Sequence, residues 1–275
     1  MKILNGKELA GFIKERQAGQ VRSAVSGGVS AGARAPKLLI IRDSDNPVIV
    51  KYVNLKIAYG EDIGVVVEDY KASSSDLITK RILEANIDPE IDGIILQLPI
   101  LEKKRTDDLT GLIAPSKDVD GLSGKGDFDS ATATAILWLL AGYDIDLRGR
   151  KIALVGRGKL VGAPLFKMLT DSGFDVEMFH SGSDLSRLSD FDVIITATGK
   201  PGLITSEMVA PGAVVVDAGT ASEGGVLKGD VSDAVRERKN LTAITPIVGG
   251  VGPLTITCLF EHVLQAYENH KQERF

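Results

Sequence analysis

The sequence predicts an α/β protein of two lobes, each a parallel sheet covered by helices, and three observations predict it. Short continuous apolar runs alternate with helically spaced apolar residues through most of the 275 positions, the pattern of strands buried on both faces. The alternation stops over 101–130, a stretch richer in charge, Gly and Ser, and restarts after Asp146-Leu147-Arg148-Gly149-Arg150. The restart opens on an apolar run that enters a glycine turn and then a helix, which makes the C-terminal lobe a Rossmann-type doubly wound parallel sheet.

Taken in order, residues 4–25 read as a helix, with Leu4, Leu9, Phe12 and Ile13 near helical spacing, followed by a flexible glycine break from Ser26 through Gly32. Lys37 to Ile41 is a buried strand ended by the polar turn Arg42 to Pro47, and the helix after it carries Tyr52, Val53, Lys56 and Ala58. Ile63 to Val67 reads as a second strand, Ser73 to Asn86 as a helix opened by Ser and Asp caps, and Gly93 to Leu98 as a third strand stopped by Pro99. Residues 101–130 are expected to be connecting loops, and Ala131 to Leu140 a helix linking the lobes. In the second half, Lys151 to Gly156, Val176 to Phe179, Val193 to Thr198, Val214 to Ala218 and Leu241 to Thr245 read as strands. Ala163 to Ser172 and Leu254 to about Asn269 read as helices. The expected division is a domain over 1–125, completed by the C-terminal helix 254–270, and a nucleotide-binding domain over 140–250.

With 44% hydrophobic and 25% charged residues, the composition is that of an ordinary globular protein with a well-filled core. The net charge of −5 supplies no positive field for a nucleic acid or an anionic membrane. The one cysteine, Cys258, has mostly apolar neighbours and reads as a buried, inert thiol. The N-terminal residues form neither an apolar signal core nor an Arg-rich transit pattern, and no apolar run is long enough to span a bilayer. A cytoplasmic location is expected.

Gly156-Arg157-Gly158-Lys159-Leu160-Val161-Gly162 follows a strand and precedes a helix, the context of a dinucleotide-binding turn. Its G-x-G-x-x-x-G spacing is one residue longer than the standard fingerprint; a glycine turn serving only close packing is the rival reading. No acidic residue ends the second strand of this half, where an NAD-preferring enzyme binds the ribose 2′-hydroxyl. The chain there reads Phe179-His180-Ser181. Arg157 and Ser181 could receive a 2′-phosphate, which favours NADP over NAD; His180 is given no role. Thr198-Gly199-Lys200-Pro201 ends the next strand, where backbone passes the cofactor in such folds.

In the first half, Tyr52 and Lys56 are one helical turn apart and project from the same face. Gln97 ends a parallel strand, at the sheet edge where open α/β sheets bind ligands. Asp118 and Asp120 share the loop Lys117-Asp118-Val119-Asp120-Gly121, which could also be a solvated turn. No metal-ligating set appears.

Together these stretches resemble a known family. Tyr52-Val53-x-x-Lys56, Leu96-Gln97-Leu98-Pro99, Pro115-x-Lys117-Asp118-Val119-Asp120-Gly121, Val155-Gly156-Arg157 with Val161-Gly162-x-Pro164, and Gly249-Gly250-Val251-Gly252-Pro253-x-Thr255 are similar, in order, to the bifunctional methylenetetrahydrofolate dehydrogenase/cyclohydrolases. The resemblance implies oxidation of 5,10-methylene-tetrahydrofolate with NADP and hydrolysis of the methenyl product to 10-formyl-tetrahydrofolate. It also implies a folate in a cleft between the lobes, its pterin held by Asp120, with Gly250 and Pro253 beside it. Lys56 becomes the catalytic group, held by Gln97, with Tyr52 orienting the substrate. Gly156, Arg157, Gly158, Gly162, Ser181, Thr198 and Gly199 become the cofactor contacts, and a homodimer is expected. The chain departs from the family pattern at Ser130 to Ala135, where a Pro-Cys-Thr-Pro stretch is usual, at Gly158 for serine, at Val248 for proline, and at Asn46 to Ile49. A monofunctional dehydrogenase, a folate-binding homologue without turnover, and a two-lobed dehydrogenase of a shikimate-like acid are the rival readings.

Overall fold

The computed structural model describes residues 1–26, 34–219, 221–223 and 226–273; the glycine break expected after Ser26 lies almost wholly outside the described residues. The chain divides into two compact units. One comprises Met1–Ala10 with Thr132–Thr255, the other Gly11–Ala131 with Ile256–Phe275.

The second of these holds a three-stranded parallel sheet, β2 (Lys37–Arg42), β3 (Val66–Lys71) and β4 (Gly93–Leu96), in the order β3-β2-β4. Leu38, Leu39, Ile40 and Ile41 are each fully buried, because β2 is the central strand and has helices on both faces. Its helices are most of α1 (Gly6–Ser26), α2 (Pro47–Ile63), α3 (Ser75–Ile87), the short α4 (Thr106–Thr110) and most of α8 (Val251–Glu273). Ile78, Ile82 and Ala85 of α3 pack on Leu39, Ile41, Ile94 and Leu96 to make one core; full burial of each aliphatic side chain contributes about 1.5–3 kcal/mol.

In this unit three departures from the sequence reading exceed two residues. Ile63 does not start a strand: it is the buried last residue of α2, which Gly64 ends in the left-handed conformation at φ +87°. The strand is β3, Val66–Lys71, an edge whose Glu68 and Asp69 are held by Lys37, Arg81 and Arg42, so charge rather than alternation marks it. Residues 101–130 are not simply loops: they contain α4 and two 3-10 turns, Lys103–Arg105 and Pro115–Lys117. The C-terminal helix starts three residues earlier than expected, at Val251, so Gly252 and Pro253 belong to its first turn.

The other unit is a six-stranded, fully parallel sheet. Its strands are β1 (Lys2–Ile3), β5 (Ile152–Val155), β6 (Val176–Phe179), β7 (Val193–Thr196), β8 (Val214–Asp217) and β11 (Ala243–Ile244), in the order β1-β11-β8-β7-β5-β6. A small antiparallel ribbon, β9 (Ala221–Glu223) with β10 (Val226–Lys228), stands apart from it. The helices are α5 (Ala131–Gly142), α6 (Gly162–Asp171) and α7 (Asp233–Arg236). The sequence reading missed β1, the ribbon and α7; two- to four-residue elements carry too few periods to be read. The chain moves from β5 to β6 on one side and then crosses to β7 on the other. This is the order reversal of a doubly wound sheet, which opens a crevice at the carboxyl ends of β5 and β7. The divergent stretch Ser130 to Ala135 opens α5, where Ala131, Ala133 and Ala135 are all fully buried. Among the described residues, no helix is long and apolar enough to cross a membrane.

Candidate functional site

In the unit of Lys56, the strand order also reverses about β2, and the carboxyl ends of β2 and β4 are side by side. Gln97 is the first residue past β4, and its backbone N–H donates to Ile41 O at 2.8 Å. The Leu98-Pro99 peptide that follows is cis. Asn46 opens α2 by accepting the Val48 N–H at 2.9 Å, with Pro47 in the first turn. The helix so started puts Tyr52 and Lys56 one turn apart, Tyr52 exposed and Lys56 half-buried.

Lys56 Nζ donates to Gln97 Oε1 at 2.7 Å, and Gln97 Nε2 donates to the Leu98 carbonyl at 3.1 Å. The second bond fixes which end of the amide faces the lysine. Burial lowers the Lys56 pKa, and the Asp120 carboxylate opposes that by favouring the ammonium. Asp120 shows the mirror effect: burial pushes its pKa up to about 6, against the pull of Lys56, with Asp118 adding to the rise. A lysine displaced downward and a carboxyl displaced upward, mutually coupled, form the arrangement expected of a proton-handling site.

The loop bearing Asp120 is tied down on three sides. Lys117 is buried and donates to Ala85 O at 2.9 Å and Asp88 O at 2.6 Å, at the carbonyl end of α3. Asp118 is buried and accepts the N–H groups of Leu122 (3.3 Å) and Ser123 (2.8 Å). Gly121 has φ +67°, and a Cβ there would stand 2.5 Å from the Asp129 carbonyl. His262 of α8 stacks on Phe128 and bonds through Nδ1 to Val119 O at 2.8 Å. A carbonyl only accepts, so Nδ1 carries the proton; burial lowers the His262 pKa and keeps the ring neutral. Thus Lys117 and Asp118 brace the loop, and the Asp120 side chain takes no part in that bracing. The sequence reading passed over His262, a lone histidine distant in the chain. Cys258 is buried, and burial pushes its thiol pKa up, as an inert core thiol requires.

In the other unit, Gly156 follows β5 at φ +106°, and a Cβ on it would meet Ala197 O at 2.7 Å. The turn after β5 therefore passes tightly against the turn after β7, which holds Thr198 and Gly199. A Cβ on Gly162 would overlap the Gly156 carbonyl oxygen, whereas one on Gly158 would meet nothing within 4 Å. Two of the three glycines are sterically obligatory, and the middle one leaves open space in the cradle. Gly162 opens α6, ten residues long, so the positive helix end faces that cradle, although Ala163 N–H already donates to Gly158 O at 3.0 Å and Pro164 has no N–H. The Gly156 N–H donates to Phe179 O at 2.8 Å, which ties the glycine turn to the end of β6. Arg157, His180 and Ser181 are all exposed there, and no carboxylate follows Phe179 directly.

Gly249 and Gly250 serve tight packing within the same unit. The Gly249 carbonyl accepts the Lys7 N–H at 2.9 Å, and a Cβ on Gly6 would overlap the Gly250 carbonyl. Pro253 is in the first turn of α8. The structure therefore brings Lys56, Gln97 and Asp120 together, with Tyr52 on the same helix, and separately brings together the turns of Gly156 to Gly162 and Thr198 to Gly199. Gly250 and Pro253 belong to the nucleotide unit.

Two family models match the chain. The tetrahydrofolate dehydrogenase/cyclohydrolase catalytic domain matches residues 4–120, and the NAD(P)-binding domain of the same family matches 130–271. A relative from Nocardia farcinica called "Bifunctional protein FolD" is 38% identical, covering 98% of each chain. Two crystal structures of bifunctional methylenetetrahydrofolate dehydrogenase/cyclohydrolases superpose on it. That from Campylobacter jejuni has a TM-score of 0.89 at 32% identity, covering 98% of this chain and 99% of that one. That from Thermoplasma acidophilum has a TM-score of 0.87 at 31% identity, covering 98% and 100%.

Proposed function

The chain belongs to the tetrahydrofolate dehydrogenase/cyclohydrolase family, and from that premise we propose how its own residues carry the two reactions. The enzyme oxidises 5,10-methylene-tetrahydrofolate to the 5,10-methenyl cation and hydrolyses that cation to 10-formyl-tetrahydrofolate. The observation that carries the assignment of residues is the hydrogen bond from Lys56 to Gln97 with Asp120 electrostatically coupled to the same amine.

Asp120 holds the pterin, a carboxylate being able to accept two N–H bonds at once. Tyr52 orients the folate from the helical turn before Lys56. NADP supplies the acceptor for the hydride that leaves the methylene carbon. The chain's task in that step is positional: the backbone of Gly156 to Gly162, the start of α6, and the Thr198-Gly199 turn hold the dinucleotide. The exposed Arg157 and Ser181, beside a β6 end without a carboxylate, favour the 2′-phosphate of NADP over the free hydroxyl of NAD.

The methenyl cation then disfavours an ammonium beside it, adding to the burial that already lowers the Lys56 pKa. The free amine accepts a proton from water as the oxygen bonds to the methenyl carbon. Gln97 keeps the amine aimed through this step. Lys56 returns that proton to N5 as the C–N5 bond breaks, and the hydroxyl proton of the adduct passes to solvent, leaving the formyl group on N10. The N-terminal part including Lys56, Gln97 and Asp120 serves as the folate-binding catalytic domain and residues 140–250 as the nucleotide domain. A cytoplasmic homodimer completes the reading.

The test is a pair of spectrophotometric assays on purified protein. One follows reduction of NADP or NAD with 5,10-methylene-tetrahydrofolate, the other methenyl-tetrahydrofolate decay. Faster reduction of NADP than of NAD, with methenyl decay above the spontaneous rate, is expected. Oxidation without enhanced decay would leave a dehydrogenase alone and remove Lys56 from its role.

A further inference from the structure

Behind the Thr198-Gly199 turn is a cluster of buried charge that the reaction as described does not use. Asp230 is fully buried. Its Oδ2 accepts the Thr196 hydroxyl at 2.7 Å and the Thr198 N–H at 2.6 Å, and its Oδ1 accepts the Lys200 N–H at 2.9 Å. Two of these three donors are backbone groups of the turn after β7. The turn thus takes its shape from a carboxylate that is distant in sequence and sealed from solvent.

Asp230 is itself placed by a second carboxylate. Asp217, at the end of β8, accepts the Asp230 N–H at 3.1 Å, the Gly219 N–H at 3.0 Å and the Val231 N–H at 3.0 Å, and it pairs with Arg236 of α7. Arg236 also donates to Thr245 O at 2.6 Å, and the Thr245 hydroxyl accepts the Asp217 N–H at 2.8 Å. The network therefore fastens the carboxyl ends of β7, β8 and β11 in one piece. Two glycines make room for it. A Cβ on Gly219 would overlap the Asp230 carboxylate, and one on Gly229 would overlap that of Asp217. Burying carboxylates costs free energy that a surface turn would not incur. They are retained where a fixed geometry is needed, and the geometry fixed here is that of the turn packed against Gly156.

We infer that Asp230 is a positioning residue for cofactor binding. It holds the Thr198-Gly199-Lys200 turn in the shape that receives the dinucleotide, through backbone N–H groups and without touching the ligand. Asp217 and Arg236 hold Asp230 in turn. The inference rests on the reading of Thr198 and Gly199 as cofactor contacts.

Asp230→Asn tests it, since the amide turns one accepting oxygen into a donor facing the backbone N–H of either Thr198 or Lys200. The assay measures KM for NADP, kcat at saturating NADP, methenyl hydrolysis and the thermal midpoint. The expected result is a rise of about tenfold in KM for NADP, the effect of one lost charged hydrogen bond and one new repulsion. Both kcat at saturation and methenyl hydrolysis should stay within about twofold, because hydrolysis needs no dinucleotide as reactant. An unchanged KM, or hydrolysis falling in step with the dehydrogenase, overturns the inference. If Asp230→Asn does not fold, Thr196→Val removes only the hydroxyl partner and lets Oδ2 shift; its KM for NADP should rise about two- to threefold, and an unchanged value overturns the inference. Gly162→Ala keeps the two readings apart: if it leaves NADP affinity intact, the cofactor reading fails, whatever Asp230 does.

Discussion

The two units organise their chemistry in opposite ways. In the unit of Lys56, side chains form the proposed site and the backbone serves as scaffold: Lys56, Gln97 and Asp120 converge, and Lys117, Asp118 and His262 brace the loop behind them. In the nucleotide unit, the proposed site is backbone. Glycines permit its approach, while the charged side chains, Asp230 and Asp217, are buried behind it. The difference follows from the tasks. Moving a proton needs titratable groups with displaced pKa values, whereas gripping a pyrophosphate needs N–H groups and a helix end.

The largest break in this contrast is expected at Lys56. Lys56→Met should lower methenyl hydrolysis by about 10²- to 10⁴-fold, the worth of a positioned general acid–base, while leaving NADP affinity unaltered in a fluorescence titration. Gly162→Ala is the converse. Its Cβ would overlap the Gly156 carbonyl, so the turn must shift. NADP affinity should fall by at least about tenfold and stability by about 1–3 kcal/mol, with hydrolysis retained. A thermal melt and the same titration measure both.

Smaller and more diagnostic is the pH dependence of folate binding. Burial pushes the Asp120 pKa up to about 6, so the carboxylate proposed to accept the pterin N–H groups is present above that pH and lost below it. KM for the folate should rise as pH falls through about 6. Asp120→Asn should raise KM at pH 7.5 by roughly tenfold, the loss of one charged hydrogen bond, and flatten this limb. A limb that persists in Asp120→Asn assigns it to another group.

The same contrast explains what the sequence disclosed. Tyr52 and Lys56 were legible because a four-residue spacing fixes a helical face, and Gln97 because it directly follows an apolar parallel strand. Gly156 and Gly162 were legible because tight backbone approach demands glycine locally. Gly158 was grouped with them, although a side chain there meets open space. Asp217, Asp230, Arg236 and His262 were not legible. Each acts through partners distant in sequence, as in the 34-residue separation of Asp230 from Thr196, and no local pattern records such a pairing. Strand β3 was placed too early because Ile63 and Val65 are apolar like a strand yet serve the end of α2. The six-stranded sheet was read without its edge, since Lys2 and Ile3 gain strand geometry only by pairing with Ala243 and Ile244.

The most direct test of the account measures both activities and NADP affinity on Lys56→Met and Gly162→Ala side by side. A double dissociation is predicted: the first variant loses hydrolysis and keeps NADP, the second loses NADP and keeps hydrolysis. Proportional loss of both properties in both variants would contradict the division of labour between the side chains of one unit and the backbone of the other.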